Sequence, residues 1–428
     1  MAPNAESASR RRPSTSAART SSKGSSEAVK LDPAADLNAH PSSARAFNLF
    51  LGAAETVPAP PILPKDSALR PDAVRRLVPE ELFRRSALTS FWHLARSLAL
   101  AALLFAAATR IATVPSAAAR AALWAAYWVA QGTVLTGVWV IAHECGHQSF
   151  SDSKLLNDSV GWVLHSALLV PYHSWRISHA NHHSNTCSME HDEVFVPSTL
   201  SEYSEMVMDT PLFNALDITK MLVFGWPFYL AANFAGPAKY RGKANSHFNP
   251  VGALFEPHQF TDVLSSDLGF FGALGLLALA CREFGVADVA CFYFVPYLVV
   301  NLYLVLITYL QHTDSNVPHY RESEFTFMRG ALSTTDRSFG WVIDDLLHHI
   351  ADTHVCHHLF STMPFYNAVR ATAYLRAALG PHYLRDHTPI AQALWRSWRN
   401  ARFVDDKGDI LFMKGADALN KGIEKRRK

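Results

Sequence analysis

Charge is scarce in this chain. Asp, Glu, Lys and Arg make up 18% of its 428 residues, against roughly 25% in ordinary soluble domains. The charges present nearly cancel, with 39 Lys and Arg against 37 Asp and Glu. No strongly basic domain stands out, which argues against a nucleic-acid partner. Cysteine is sparse too: Cys145, Cys187, Cys281, Cys291 and Cys356 are odd in number and scattered. That excludes a disulfide framework and favours free thiols in a reducing compartment or a bilayer. No C-x-x-C pair occurs, so a thiolate zinc site is not expected. An apolar secretory signal is also missing from the start of the chain. Residues 1–60 are instead rich in Ser, Ala, Pro and Arg and almost without aromatics. Such a stretch buries too little apolar surface to fold and is read as a disordered tail. Its Arg- and Ser-rich opening also fits an organelle transit peptide, although Glu6, Glu27 and Asp32 interrupt that pattern.

What the chain does have is long uncharged runs. Ala121 to Ala142 gives about 22 residues without a charge, and Val289 to Gln311 about 23. Either spans the roughly 30 Å hydrocarbon core as a helix. Each follows a shorter apolar run across a brief polar link: Leu98 to Thr113, broken only by Arg110, and Leu268 to Ala280. The pattern predicts two helical hairpins that cross the bilayer and return. Val160 to Tyr172 and Met221 to Phe234 are apolar but short. Parity requires both to cross or both to stay on one side, if the polar clusters described next share a face. Four spans with two interfacial helices are therefore expected, in preference to six. The fold class is all-α integral membrane, with a helical cap after His312.

Histidine is abundant, with 21 copies, and it is patterned. His143 and His147 stand at i and i+4. His179, His182 and His183 stand at i, i+3 and i+4, and so do His354, His357 and His358. On a helix those positions share one face, so the rings can converge on a metal. A lone buried histidine is usually a satisfied core residue, but eight in three matched clusters are not. Eight imidazoles exceed one ion's needs and fit a two-metal site. Imidazole alone does not choose between iron, copper, zinc and nickel. His312, which ends the second long run as His143 follows the first, is a candidate ninth ligand. Glu144, Glu190, Asp192 and Asp352 lie beside the clusters and are candidates to accept the outer ring N–H of a ligand histidine. His173, His191, His348 and His349 fall off the shared spacing and are read as supporting or surface residues. His143-Glu144-Cys145-Gly146-His147 also satisfies H-E-x-x-H, the zinc protease helix. That reading needs one further ligand and leaves the other two clusters without a purpose.

The flanks carry a specific resemblance. Ala142-His-Glu-Cys-Gly-His-Gln-Ser-Phe150, Pro171-Tyr-His-Ser-Trp-Arg-Ile-Ser-His179, Asp192-Glu-Val-Phe-Val-Pro197, Tyr309-Leu-Gln-His-Thr313 and Asp352-Thr-His-Val-Cys-His-His-Leu-Phe-Ser-Thr-Met-Pro364 resemble the membrane fatty acid desaturase family, in particular its microsomal delta-12 (oleate) members. The likeness runs from about Pro60 to Lys414, giving a desaturase domain at 61–414 and a basic C-terminal tail at 415–428. The resemblance implies a non-haem di-iron oxidoreductase that uses O2 to place a cis double bond in an acyl chain of membrane phospholipid, turning oleoyl into linoleoyl chains. It implies the endoplasmic reticulum membrane, clusters on the cytosolic face, and electrons from NADH through a reductase and cytochrome b5. The family's ligands map onto His143, His147, His179, His182, His183, His354, His357 and His358, and its extra histidine onto His312. Three interior positions depart from the common pattern: Ala180 and Asn181 in the second cluster and Cys356 in the third. Omega-3 (delta-15) desaturases share much of this pattern, and hydroxylases and conjugases occur on the same scaffold. No His-Pro-Gly-Gly haem motif of a fused cytochrome b5 is present, so the donor is expected to be a separate protein. Homo- or hetero-oligomers are left open. Lys425-Arg-Arg-Lys428 fits a retrieval signal or, preferably, an exposed charged end.

The chemistry points the same way. An alkyl C–H bond has no acidic proton, so acid–base side chains are inadequate and an oxygen-activating metal must supply the hard step. The protein's part is to hold the chain with one C–C bond at the metals.

Overall fold

The computed structural model describes residues 60–427. The tail expected at 1–60 therefore lies, but for its last residue, outside the described residues, as does Lys428. The longer helices are numbered here in chain order.

Helix α1 (Ala87–Ala108) starts where the Ser86 side chain accepts the Thr89 N–H, and α2 (Ala117–Gly146) where Ser116 accepts that of Ala119. Such caps satisfy amide donors that the first turn leaves unpaired. After α3 (Lys154–Ala167), α4 (Tyr172–Asn185) and α5 (Pro211–Ala232), the chain forms α6 (Phe260–Phe284) and α7 (Val295–His312). Ahead of α7, Ala290–Phe294 makes a π turn. Two of its carbonyls are met from α2: Trp128 Nε1 donates to Cys291 O at 2.9 Å and Tyr127 Oη to Phe292 O at 3.3 Å.

Four helical segments are long and apolar enough to cross a membrane: Ala87–Thr113, Ala117–Gly146, Pro257–Phe284 and Val286–His312. They fall into the two predicted hairpins. Each first arm is longer than the uncharged run alone shows, because the helix continues through polar residues at its start. The second arms are the enclosed ones. In their most apolar stretches 67% and 44% of residues are buried, against 28% and 17% for the first arms. Hence α2 and α7 form the inner pair, while α1 and α6 present Leu103, Phe105, Leu268, Phe271 and Leu276 outward. At Gly132 a Cβ would fall 2.4 Å from Val299 Cβ, so α2 and α7 approach as closely as a small residue permits.

Val160 to Tyr172, one of the ambiguous stretches, is where α3 ends and α4 begins. The chain reverses through Leu169, at φ 53°, and α3 and α4 form a hairpin that delivers the second histidine cluster to the end of α2. Neither this hairpin nor α5 is among the four segments able to span.

Beyond His312 lies the cap: α8 (Trp341–Leu346), α9 (His354–Leu359), α10 (Phe365–Leu379), α11 (Ile390–Asn400) and α12 (Ala416–Arg427). Its apolar core joins Val355 and Leu375 to Leu63, Val74 and Leu82 from the segment ahead of α1. A small antiparallel pair, β1 (Pro318–Tyr320) with β2 (Ile410–Phe412), aligns His319 with Leu411. This pair was not foreseen from sequence. The stretch expected as a basic tail is mostly α12, whose Leu419 and Ile423 are buried with Phe403 against Leu200 and Tyr203.

Candidate metal centre

The first cluster occupies the last turn of α2, with His147 as its C-cap. The second lies on α4, and the third opens α9. His312 is the last residue of α7. The structure draws all of these rings together. Ring nitrogens of His143, His147, His179, His183 and His357 lie within 4.8 Å of one another, and those of His182, His312 and His358 form a second group by the same measure. His354 joins the second group, its Nε2 3.1 Å from His312 Nε2 and 3.0 Å from His358 Nε2. In the first group His143 Nε2 is 2.9 Å from His179 Nε2 and 3.2 Å from His147 Nε2. The groups meet where the His183 and His358 rings stack, 4.2 Å between centroids.

Carboxylates and hydroxyls fix which nitrogen faces inward. Glu144 Oε1 lies 3.0 Å from His143 Nδ1 and 3.6 Å from His357 Nδ1, and its other oxygen accepts from Ser149 Oγ at 2.6 Å. Asp192 Oδ1 is 2.6 Å from His182 Nδ1 and also accepts the Glu193 N–H. Thr186 Oγ1 is 3.1 Å from His358 Nδ1. With Nδ1 donating, each Nε2 turns a bare lone pair toward the others. Burial, and then repulsion from the neighbouring rings, pushes the histidines down: His147 to about 3, and His179, His183, His354, His357 and His358 below the ordinary range. These rings therefore stay neutral at physiological pH. His357 Nε2 is buried with no hydrogen-bond partner. Converging, unprotonated nitrogens and an orphaned ring nitrogen form a donor set that cations relieve, and two groups fit two ions.

The other candidates fall differently. Glu190 reaches Arg321 at 3.1 Å, and Asp352 pairs with His349 at 3.0 Å. His348 meets Ser97 Oγ at 3.2 Å. Ser149 and Thr186 were missed in the sequence, as were Trp139 and Trp175, which stack on His143 and His179. Nothing in their local spacing marks them. Glu144 has both oxygens engaged by protein groups, Oε1 by His143 and His357 and Oε2 by Ser149, and is not turned to an open site as the protease reading requires.

Four span-length helices whose inner pair ends in a cage of converging imidazoles define a membrane-embedded histidine-cluster protein with a fitting metal site. The particular family follows from comparison. The fatty acid desaturase family model matches residues 122–389. A delta(12) fatty acid desaturase of Mortierella alpina is 48% identical over 359 residues, covering 80% of this chain and 89% of that protein. The omega-6 fatty acid desaturase, endoplasmic reticulum isozyme 2, of Glycine max is 45% identical over 78% of this chain and 86% of its own. The oleoyl-12-hydroxylase of Ricinus communis is 42% identical over 78% and 87%. The chain belongs to the fatty acid desaturase family and is a membrane oxidoreductase.

Proposed function

We propose that this protein is an acyl-lipid delta-12 desaturase that converts oleoyl to linoleoyl chains in membrane phospholipid, with its catalytic domain at 61–414. The observation that carries the proposal is the division of the histidines into two adjacent groups, His143, His147, His179, His183 and His357 beside His182, His312, His354 and His358. Two iron ions held there would supply the oxygen-dependent removal of hydrogen from an unactivated C–H bond. The overall balance is one O2, two electrons, two protons and the two hydrogens of the substrate, giving two waters and a cis double bond.

The chain's own residues perform the rest. Glu144, Asp192 and Thr186 hold the ring tautomers by accepting or sharing the Nδ1 proton. Trp139 and Trp175 wall the membrane side of His143 and His179 and exclude water. The ends of α2 and α7 bring the histidine cage to the end of the inner helix pair, where a lipid chain from the bilayer would meet electrons from outside it. Those electrons are assigned to NADH, a reductase and a separate cytochrome b5. The location is assigned to the endoplasmic reticulum, which the printed name of the Glycine max relative carries, and the histidines to its cytosolic face.

The similarity to a hydroxylase favours one second reading, addition of a hydroxyl at the same carbon. The test is the lipid profile of a yeast that makes oleate and no linoleate. Linoleate in the phospholipids supports the proposal; ricinoleate gives the second reading; a delta-15 bond reassigns the position. No new fatty acid from abundant, membrane-inserted protein sinks it.

A further inference from the structure

The segment Ser333–Arg337 is buried throughout, yet four of its five residues are polar or charged side chains beyond serine's size, and none is a ligand. Its partners lie at the two helix ends that carry His312 and His354. The last turn of α7 leaves carbonyls without intrahelical partners. Thr335 N–H and Thr334 Oγ1 donate to Gln311 O at 3.2 and 3.3 Å, and Arg337 Nε donates to Leu310 O at 2.8 Å. At the other end, Asp336 Oδ1 accepts the Val355 N–H at 2.9 Å, capping the first turn of α9. Arg337 N–H donates to Ala351 O at 2.9 Å, on the approach to that helix. Gln311 closes the loop, its Nε2 3.3 Å from both Ile350 O and Ala351 O. Asp336 is held in turn by the Tyr383 hydroxyl and by Arg376 at 3.7 Å. The Arg337 guanidinium is held by Asp386 and by Asp314 at 3.0 Å.

We propose that Thr334–Arg337 is a positioning clasp, at once the C-cap of the His312 helix and the N-cap of the His354 helix, that sets one of the two metal positions and not the other. The asymmetry follows from the ligand sets. Three of the four rings in the second group, His312, His354 and His358, ride on the two clasped helices. Of the first group only His357 does. Releasing either cap lets α7 and α9 slide relative to each other, and the 3.1 Å approach of His312 to His354 is the dimension that slides. A charge-preserving substitution suffices: lysine cannot reach Leu310 O, Asp314 and Asp386 together, because it lacks the planar fork. The inference rests on the two-metal reading above.

The test is a titration of the full-length, metal-free protein in lipid nanodiscs with cobalt(II) alone, followed by visible absorption and by metal analysis after gel filtration. Wild-type protein is expected to take up two equivalents. In Arg337→Lys one equivalent should bind within about threefold of wild type and the other about 10–100-fold more weakly, the range that supporting residues of metal sites command. Thr334→Val, which removes one hydroxyl without changing shape, should weaken that same equivalent about tenfold, and Thr334→Ser should restore it. If Arg337→Lys does not fold, the threonine pair decides the matter. Two unchanged equivalents in folded variants overturn the clasp alone. Equal weakening of both equivalents, with a lower melting temperature, also overturns it by showing a general structural role. A wild-type protein that takes up fewer than two equivalents overturns the two-metal reading and the clasp with it.

Discussion

Glu144 sits where a zinc protease would carry its general base, but its carboxylate is spent on orientation. It accepts from Ser149 and lies against the outer nitrogens of both His143 and His357. Glutamine at this position keeps the size but loses the charge, and a neutral amide oxygen holds the outer N–H of the two imidazoles more weakly than a carboxylate oxygen does. Glu144→Gln should therefore weaken the five-histidine group about 10–100-fold, read as loss of bound iron from purified protein with linoleate falling in parallel. His357 provides a sharper case, because its Nε2 is buried without a protein partner. His357→Ala should abolish desaturation while membrane-fraction abundance stays near that of wild type. Retained turnover would remove His357 from the ligand set. Spacing made these histidines legible, since i, i+3 and i+4 on a helix is a geometric statement. It did not make Glu190 and Asp352 legible: a carboxylate near a cluster in sequence has several directions open to it, and these two turn to Arg321 and His349.

The helices themselves meet through small residues, and two glycines separate packing from lipid contact. At Gly137 on α2 a Cβ would fall 2.1 Å from the Leu346 carbonyl oxygen. Backbone cannot swing aside as a flexible side chain does, so α8 or α2 must shift. Gly137→Ala should cost about 1–3 kcal/mol by overpacking, seen as a lower melting temperature. Gly272 on α6 has nothing within 4 Å of the added carbon. Gly272→Ala should be neutral or stabilising by up to about 1 kcal/mol, through helix propensity. A fall as large as that of Gly137→Ala would place α6 against protein rather than lipid. The hairpins were readable from uncharged length because a bilayer imposes that length. The reversal between α3 and α4 was not. Its stretch is apolar like a span, and what ends it is contact: Tyr172 packs where a Cβ on Gly161 would stand, 2.2 Å from the ring. The short β1–β2 pair is likewise a product of tertiary contact, joining segments about ninety residues apart that carry no alternating pattern of their own.

Across the whole molecule, the cage depends on parts of the chain that hold no ligand. His247 lies in the connection between α5 and α6, far in sequence from every cluster. It sits between Ser178 on the second-cluster helix, with Oγ 2.9 Å from its Nε2, and Leu230 O on α5, 3.3 Å from its Nδ1. Neutral, it donates from Nδ1 and accepts the serine hydroxyl at Nε2, tying three elements together. Protonated, it would bring a charge into a fully enclosed site. Burial pushes it down to about 4, despite hydrogen bonds to the Leu230 and Tyr229 carbonyls that pull the other way. An unfolded chain returns it to its ordinary value near 6.5. Because the folded value is the lower one, its contribution is fully present above about pH 6.5 and is lost as the pH falls through 4. The amount at stake is on the order of 3 kcal/mol. Other buried histidines titrate in the same direction, so the wild-type curve alone does not isolate this residue. The difference from His247→Asn does. The variant should be less stable than wild type at pH 8, where it lacks the serine contact, and that gap should shrink steadily between pH 6.5 and 4. Melting temperatures of both proteins in the same detergent across that range measure it. A gap that stays constant with pH would show that His247 takes up its proton in the folded protein as readily as in the unfolded chain.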